Sequence, residues 1–332
     1  VNWNQRGIAL ISVLFVVVVI TLLLSQLLTQ RWSDIEHTRW LVEDAQAYQY
    51  ALGGEQLARQ ILYDDQQNLK AQGLFISPLP RPISMYEPDH GEIRLKITDL
   101  KGLINLNSIN SGGETLINRF MTEFLQQPQG TSILGDWIDN DNLPRPGGAE
   151  DSDYLSSQPS YRNANRNLTD SSELHALEGM NSDLLNQTEH WLVALDNSPT
   201  ININTMPSQL VTLIHPTISA SEFEIARNSF PSGFGSVATF MTSELMAGLT
   251  FDASLLTTTS SFFSASVSAS AGKTVVNLSS RFRIDGATGK IILLDRNFLI
   301  QPTLKRQLLN QNLASSDLHS HQVNDHDVNP TF

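Results

Sequence analysis

The sequence predicts an α+β fold: a long N-terminal helix, an antiparallel sheet, and a large, mainly helical domain inserted into that sheet. Three observations carry this. Ile8 to Leu28 runs 21 residues without a charge. No proline interrupts residues 1–77. Strand-like segments stand at 92–98 and again between 263 and 294, on either side of a long block of helical pattern.

The apolar run comes first. Only Ser12, Thr21, Ser25 and Gln26 interrupt it, and as a helix it reaches about 31 Å, matching the roughly 30 Å hydrocarbon core of a bilayer. Beyond it Trp32, Ile35, Leu41, Val42, Ala45, Tyr48, Leu52, Leu57, Ala58, Ile61 and Leu62 recur at spacings of three to five, the mark of an amphipathic helix. One continuous rod is therefore expected. Its weak point is Gly53-Gly54, since each glycine costs about 1 kcal/mol relative to alanine inside a helix.

Pro78, Pro80, Pro82 and Pro88 make 74–89 a loop. Glu92 to Thr98 alternates strictly between polar and apolar residues and reads as a half-buried strand. Asp99-Leu100-Lys101-Gly102 reads as a turn into a second strand, Leu103 to Leu106. From 111 to 249 helical patterns alternate with polar loops. Strand character returns at 263–269, at 275–284 (Val276, Leu278, Phe282 and Ile284 on one face) and at 290–294, with Asp285-Gly286 and Thr288-Gly289 supplying the last turn. The expected organisation is thus an α/β domain from 29–110 and 250–300, an inserted α-domain at 111–249, and a disordered tail at 301–332. The tail's His319, His321 and His326 read as solvated rather than metal-binding.

The net charge of −13 argues against nucleic acid as a partner, because phosphate binding needs clustered lysine and arginine. The absence of cysteine removes disulfides, thiolate metal sites and a cysteine nucleophile.

The densest chemical signal is acidic. Asp136, Asp139, Asp141, Glu150, Asp151 and Asp153 fall within 18 residues, with only Arg145 of opposite sign. Gathered without a cation these groups repel one another, whereas a hard divalent ion takes several oxygen ligands at about 2.3–2.6 Å. Calcium is the natural fit. The prolines and glycines between the two acidic groups let Asp139 and Asp141 face Glu150 and Asp151 across one ion. The loop is not an EF-hand, since Pro144 stands where that loop requires glycine. A solvated acidic loop and a catalytic metal are the alternatives; for the latter, the chain offers no phosphate-cradling glycine loop, His-x-x-x-His pair or Gly-x-Ser-x-Gly elbow.

Ile201-Asn202-Ile203-Asn204-Thr205-Met206-Pro207 precedes an apolar run and reads as an N-cap. It lacks the glycine hairpin of DNA-binding helix-hairpin-helix modules, and a SAM-like helical scaffold fits better. Its echo of Ile104-Asn105-Leu106-Asn107-Ser108 is too short to establish a repeat.

The N-terminal run is too long for a secretory signal, and Leu28-Thr29-Gln30-Arg31-Trp32 offers no small-x-small cleavage site. A plain membrane anchor remains open. Gln5-Arg6-Gly7 before Ile8-Ala9-Leu10-Ile11 resembles the leader and mature start of type IV prepilin-like proteins. That resemblance implies cleavage after Gly7, N-methylation of Ile8, and Ser12 in the place of the usual fifth-position glutamate. The Asp-Trp-Ile-Asp-x-Asp run from Asp136, the Gly148-Ala149-Glu150-Asp151 step, Tyr154, Ser172-Glu173-Leu174 and Leu103 to Asn107 resemble the K class of type II secretion minor pseudopilins, which lack that glutamate and bind calcium in this domain.

The resemblance implies a type IV pilin-like fold and a non-enzymatic subunit, anchored once in the bacterial inner membrane with its bulk in the periplasm. It further implies a place at the tip of the type II secretion pseudopilus and a role in protein export. Implied partners are I- and J-class minor pseudopilins, the major pseudopilin, the prepilin peptidase and the inner-membrane assembly platform. The competing reading is a membrane-anchored periplasmic enzyme using the same carboxylates with a metal.

Overall fold

A computed structural model of the chain describes residues 4–71, 84–88, 91–196, 198–230, 233–286 and 288–298, with the side chains of 4–12, Lys70 and Ser84 outside the described set. In chain order the elements are α1 (Asn4–Ala71), β1 (Ser84–Tyr86), β2 (Gly91–Asp99), β3 (Ile104–Asn105), α2 (Glu114–Glu123), α3 (Gly130–Ile138), α4 (Asp151–Ser156) and α5 (Ser182–Thr188). There follow β4 (Leu192–Val193), β5 (Ile201–Asn202), α6 (Ala220–Asn228), α7 (Val237–Met241), β6 (Leu256–Thr257), β7 (Phe262–Ala271), β8 (Thr274–Ile284) and β9 (Ile291–Asn297). Residues 72–83, the core of the expected proline loop, and the tail at 301–332 with its histidines lie outside the described residues, while Ser84–Tyr86, within the stretch expected as a loop, forms the edge strand β1 because its backbone pairs with β2.

The single 68-residue helix α1 confirms the expected rod. Val13 to Val42 is exposed along its whole length, whereas Ala47, Ala51, Ala58 and Leu62 are buried on the sheet. The spacing of these small residues lets the helix lie close to the strands. Gly54 belongs to the same row: a Cβ there would stand 2.6 Å from Val267 Cγ1. The glycine pair is therefore no break in the helix, because packing against the sheet offsets its local cost.

The sheet runs β1-β2-β7-β8-β9 and is antiparallel throughout. Register follows the alternation: Ala265, Val267, Ala269 and Ala271 of β7 are buried beneath α1, and Ser264, Ser266, Ser268 and Ser270 face away. Glu55 of α1 is fully buried and receives Arg296 Nε and Nη2 of β9 at 2.6 and 2.7 Å and the Ser280 hydroxyl of β8 at 2.7 Å.

The expected hairpin between 92–98 and 103–106 does not form. The Asp99 carboxylate accepts from the Lys101 amide at 2.9 Å and caps a 3-10 turn at Leu100–Gly102. The chain then leaves the sheet; β3 pairs in parallel with β4, and β2 lies between β1 and β7. Strand pairing here spans the whole insert, which local alternation could not reveal.

The insert consists of short helices around one apolar core that runs from Ile104 through Phe120, Leu134, Tyr154, Leu210, Phe223 and Phe240 to Leu256. Packing thus draws residues 104–109 and 255–256 into the insert, beyond the expected boundaries at 111 and 249. Its seam with the sheet has an apolar patch, where Leu100, Val193 and Leu195 meet Phe262 of β7, and a polar one. Asn202 Nδ2 and Thr205 Oγ1 each donate to Asp99 Oδ2 at 2.8 Å, so these residues tie the two parts together rather than capping the next helix, whose first flanking residue is Pro207. Burial pushes the Asp99 carboxyl up from its ordinary pKa, against the pull of hydrogen bonds from Ser260, Thr205, Lys101 and Asn202.

Candidate functional site

The acidic residues sit where α3 ends and α4 begins. α3 buries Ile133, Leu134, Trp137 and Ile138 together with Asp136, and Trp137 meets Tyr154 of α4 edge-on, ring centroids 5.1 Å apart. The helix stops at Asp139, whose backbone is extended. The chain then loops out through Pro144 and Pro146 and turns back at Gly147, which holds φ at 77°. At Gly148 a side chain would land on the Asp136 carboxylate, so glycine is required for the return to close over Asp136.

This fold-back brings Asp139, Asp141 and Glu150 together, with one carboxylate oxygen of each within 4.8 Å of the others. Asp136 lies beneath them, fully buried, and both its oxygens accept from the Arg145 amide at 3.2 and 3.1 Å. The Arg145 guanidinium lies 3.5 Å from Asp136 Oδ1 and 3.2 Å from Asp139 Oδ2. The remaining two of the six carboxylates are engaged elsewhere. Asp151 takes Arg162 at 2.6 Å and the Asn163 amide at 3.1 Å, and Asp153 accepts from the Glu150 amide at 2.9 Å at the start of α4. The structure therefore sets Glu150 across from Asp139 and Asp141, and turns Asp151 to Arg162.

Two residues not singled out in the sequence join the site. Asn163 Nδ2 donates to Glu150 Oε2 at 2.6 Å, and Asn165 Nδ2 approaches Asn142 Oδ1 at 3.4 Å. Asn165 adopts φ of 46°, a left-handed conformation that asparagine tolerates better than most residues. The only trace of them in the sequence is the Asn-x-Asn step after Tyr161.

The donor chemistry fits a hard cation. Asp139 Oδ1, Glu150 Oε1, Asn163 Oδ1 and Asn165 Oδ1 are all buried acceptors with no hydrogen-bond donor, and leaving such atoms unpaired costs about 1–3 kcal/mol each. Burial, then the charge of Asp139, push the Asp136 carboxyl up; burial, then Asp136 and Asp139, do the same to Glu150. Four carboxylates face one guanidinium. Excess negative charge and unsatisfied oxygens together are what a calcium ion would relieve.

At the other end of the chain, Gly7, Ile8 and Ser12 fall within the backbone of α1. α1 is long and apolar enough to cross a membrane.

Comparison with known proteins bears on both features. A family model described as type II secretion system (T2SS), protein K matches residues 102–197, which include the whole acidic loop. A type II secretion system protein K of Klebsiella pneumoniae is 30% identical over 262 residues, covering 72% of this chain and 80% of its own. The protein K of Pseudomonas aeruginosa is 32% identical over 220 residues (61% and 66%), and that of Aeromonas hydrophila 27% over 325 residues (88% and 97%). A chain in the crystal structure of the GspK-GspI-GspJ complex from the enterotoxigenic Escherichia coli type 2 secretion system superposes with a TM-score of 0.67 at 22% identity. It covers 80% of this chain and 100% of that one.

Proposed function

The chain belongs to the type II secretion system protein K family, and from that premise we propose that it is the minor pseudopilin at the tip of the pseudopilus. The family is structural rather than enzymatic, which removes the membrane-anchored metalloenzyme considered from the acidic loop. In this reading the chain is cut after Gly7, Ile8 becomes the methylated terminus, and α1 passes from the inner membrane into the fibre core while the sheet and insert stand in the periplasm.

The observation that carries the reading is the division of α1. Its second half is buried on the sheet through Ala47, Ala51, Gly54 and Ala58, and its first half presents Val13 to Val42 uncovered by any of the described residues. Such a helix is covered by a bilayer and then by other helices. The insert adds bulk beside the sheet, which suits a terminal place in a fibre. With Ser12 at the fifth mature position, the chain has no carboxylate there to neutralise the amine of a neighbouring subunit, which favours the same place.

In the acidic loop, Asp139, Asp141 and Glu150 would hold calcium with the Asn163 and Asn165 amide oxygens beside them. The ion supplies charge neutralisation, and Arg145 and the Gly148 turn hold the loop closed over Asp136. Assembly is tested by co-purifying the full chain in detergent with the I- and J-class subunits of the same secretion system. A stable complex of the three is expected, and recovery of this chain alone contradicts the reading.

A further inference from the structure

The acidic loop carries a cation of its own. Arg145 stands on the returning arm between Pro144 and Pro146, and its guanidinium is held from several sides. Nη2 donates to Asp139 Oδ2 and to Asn110 Oδ1, each at 3.2 Å, and Nε lies 3.5 Å from Asp136 Oδ1. The group rests on α3 at Gly135, where a Cβ would fall on the guanidinium itself. Gly135 therefore provides the slot, and Asn110 closes it from the 3-10 turn at Leu106–Ser111.

This placement divides the Asp139 carboxylate. Oδ2 is taken by Arg145, whereas Oδ1 is buried without a donor, as are Glu150 Oε1 and the amide oxygens of Asn163 and Asn165. These unpaired oxygens mark where a further cation fits. An ion held by Asp139 thus has a positive charge on the far oxygen of its own ligand.

We propose that Arg145 is a resident counter-ion that competes with calcium: it holds the empty loop closed and sets a weaker affinity for the ion than the carboxylates alone would give. The inference rests on the calcium reading above and adds to it what governs the loop when the ion is absent. Arg145 is a positioning residue and not a ligand.

Charge decides the direction of the effect. In the empty loop Asp136, Asp139, Asp141 and Glu150 face one guanidinium, which therefore stabilises the closed form strongly. Calcium neutralises part of the same cluster and repels the guanidinium, so the contribution of Arg145 to the loaded form is smaller. Removing Arg145 must then cost the empty form more than the loaded one, and that difference is a gain in affinity. A unit charge so close to a divalent ion changes binding by about tenfold even with the screening of bulk water. A plain structural clamp would act on both forms alike and leave the affinity unchanged. A residue that only pre-forms the site would weaken binding when removed.

The full chain in detergent is titrated with calcium chloride by calorimetry and melted in chelator and in saturating calcium, unsubstituted and as Arg145→Met, Arg145→Lys and Gly135→Ala. Arg145→Met removes the charge and Arg145→Lys keeps it. Gly135→Ala displaces the guanidinium with a methyl group while the Arg145 amide stays on Asp136. Expected are a dissociation constant about tenfold lower in Arg145→Met, a smaller fall in Gly135→Ala, and a value near the unsubstituted one in Arg145→Lys. The melting temperature of Arg145→Met should drop in chelator, and calcium should narrow the gap. Unchanged or weakened calcium binding in both Arg145→Met and Gly135→Ala overturns the proposal and leaves the calcium reading standing; should Arg145→Met fail to fold, Gly135→Ala decides by the same criterion. An unsubstituted chain that takes up no calcium removes the calcium reading and the proposal with it.

Discussion

Asn107 and Asn204 do the same work in the two halves of the insert. The Asn107 amide accepts from the Leu168 N–H at 2.8 Å and donates to the Leu168 carbonyl at 2.9 Å; Asn204 accepts from the Phe234 N–H at 2.7 Å and donates to its carbonyl at 3.0 Å. Each is the second asparagine of an Ile-Asn-x-Asn run that begins in a two-residue strand, and each strand pairs in parallel with a later one. The short echo in the sequence marks a shared local architecture, with the acidic loop lying between α3 and the clasped Leu168 in the first half.

Replacing either asparagine with alanine strands a buried N–H and a buried carbonyl. Asn107→Ala and Asn204→Ala should each cost about 3 kcal/mol, read as a lowered urea midpoint of a soluble fragment beginning after Leu28. A cost below about 1 kcal/mol in both would show that the clasps are dispensable.

How much of this was legible follows from what each signal depends on. Strands β2, β7, β8 and β9 and the rod of α1 were visible because periodicity is local, whereas β1 lies in the 74–89 stretch whose prolines read as a loop. The pairing of β2 with β7 was not visible, because β7 lies beyond the insert, and alternation says which face is buried but not which strand is adjacent. The Asn-x-Asn echo was visible, yet Leu168 and Phe234 sit in loops without periodicity. In the acidic loop the fold-back of Asp139 and Asp141 onto Glu150 was legible from the intervening prolines and glycines, but Asp151 was expected beside Glu150; only the positions of Arg162 and the Glu150 amide separate Asp151 and Asp153 from Asp139, Asp141 and Glu150. Asn163 and Asn165 are neutral amides in a polar loop, and nothing in their spacing distinguishes them.

The two glycines of α1 should respond in opposite directions. Gly53→Ala should stabilise the soluble fragment by about 0.5–1 kcal/mol, the usual gain inside a helix. Gly54→Ala should destabilise it by about 1–3 kcal/mol, because the new methyl presses on Val267 in a packed interface. Thermal unfolding of the pair decides the matter, and equal gains would contradict the close approach of α1 to β7.

Glu55 ties α1 to β8 and β9. Burial alone would raise its pKa, but hydrogen bonds from Arg296 and Ser280, then the charges of Arg296 and Arg59, outweigh this and hold it below its ordinary value of 4.5. A depressed folded pKa stabilises above the unfolded value, and that contribution is lost as pH falls through the folded one. The fragment should therefore weaken below about pH 4.5, and Glu55→Gln should flatten that acid limb while lowering stability at pH 7. Arg296→Met, which leaves the buried carboxylate without its main partner, should cost about 3 kcal/mol at neutral pH. An unchanged acid limb in Glu55→Gln would count against the ion pair.

Calcium should raise the melting temperature of the soluble fragment and a chelator should lower it, by about 2.7 kcal/mol of stabilisation when the ion exceeds its dissociation constant a hundredfold. Asp139→Ala combined with Asp141→Ala should abolish the response. Asp151→Asn should preserve it, since Asp151 is turned to Arg162. A response equally lost in both variants would contradict the assignment of Asp139, Asp141 and Glu150 to the ion, and identical melting of the unsubstituted fragment with calcium and with chelator would remove the ion altogether.

The central claim is that α1 begins as a prepilin helix and ends in a fibre, and mass spectrometry of the N-terminal peptide tests it most directly. The full chain is expressed in membranes with and without a prepilin peptidase. The account predicts a peptide beginning at methylated Ile8 only when the peptidase is present. The same uncut N-terminus, with Gly7 still joined to Ile8 in both samples, would contradict it.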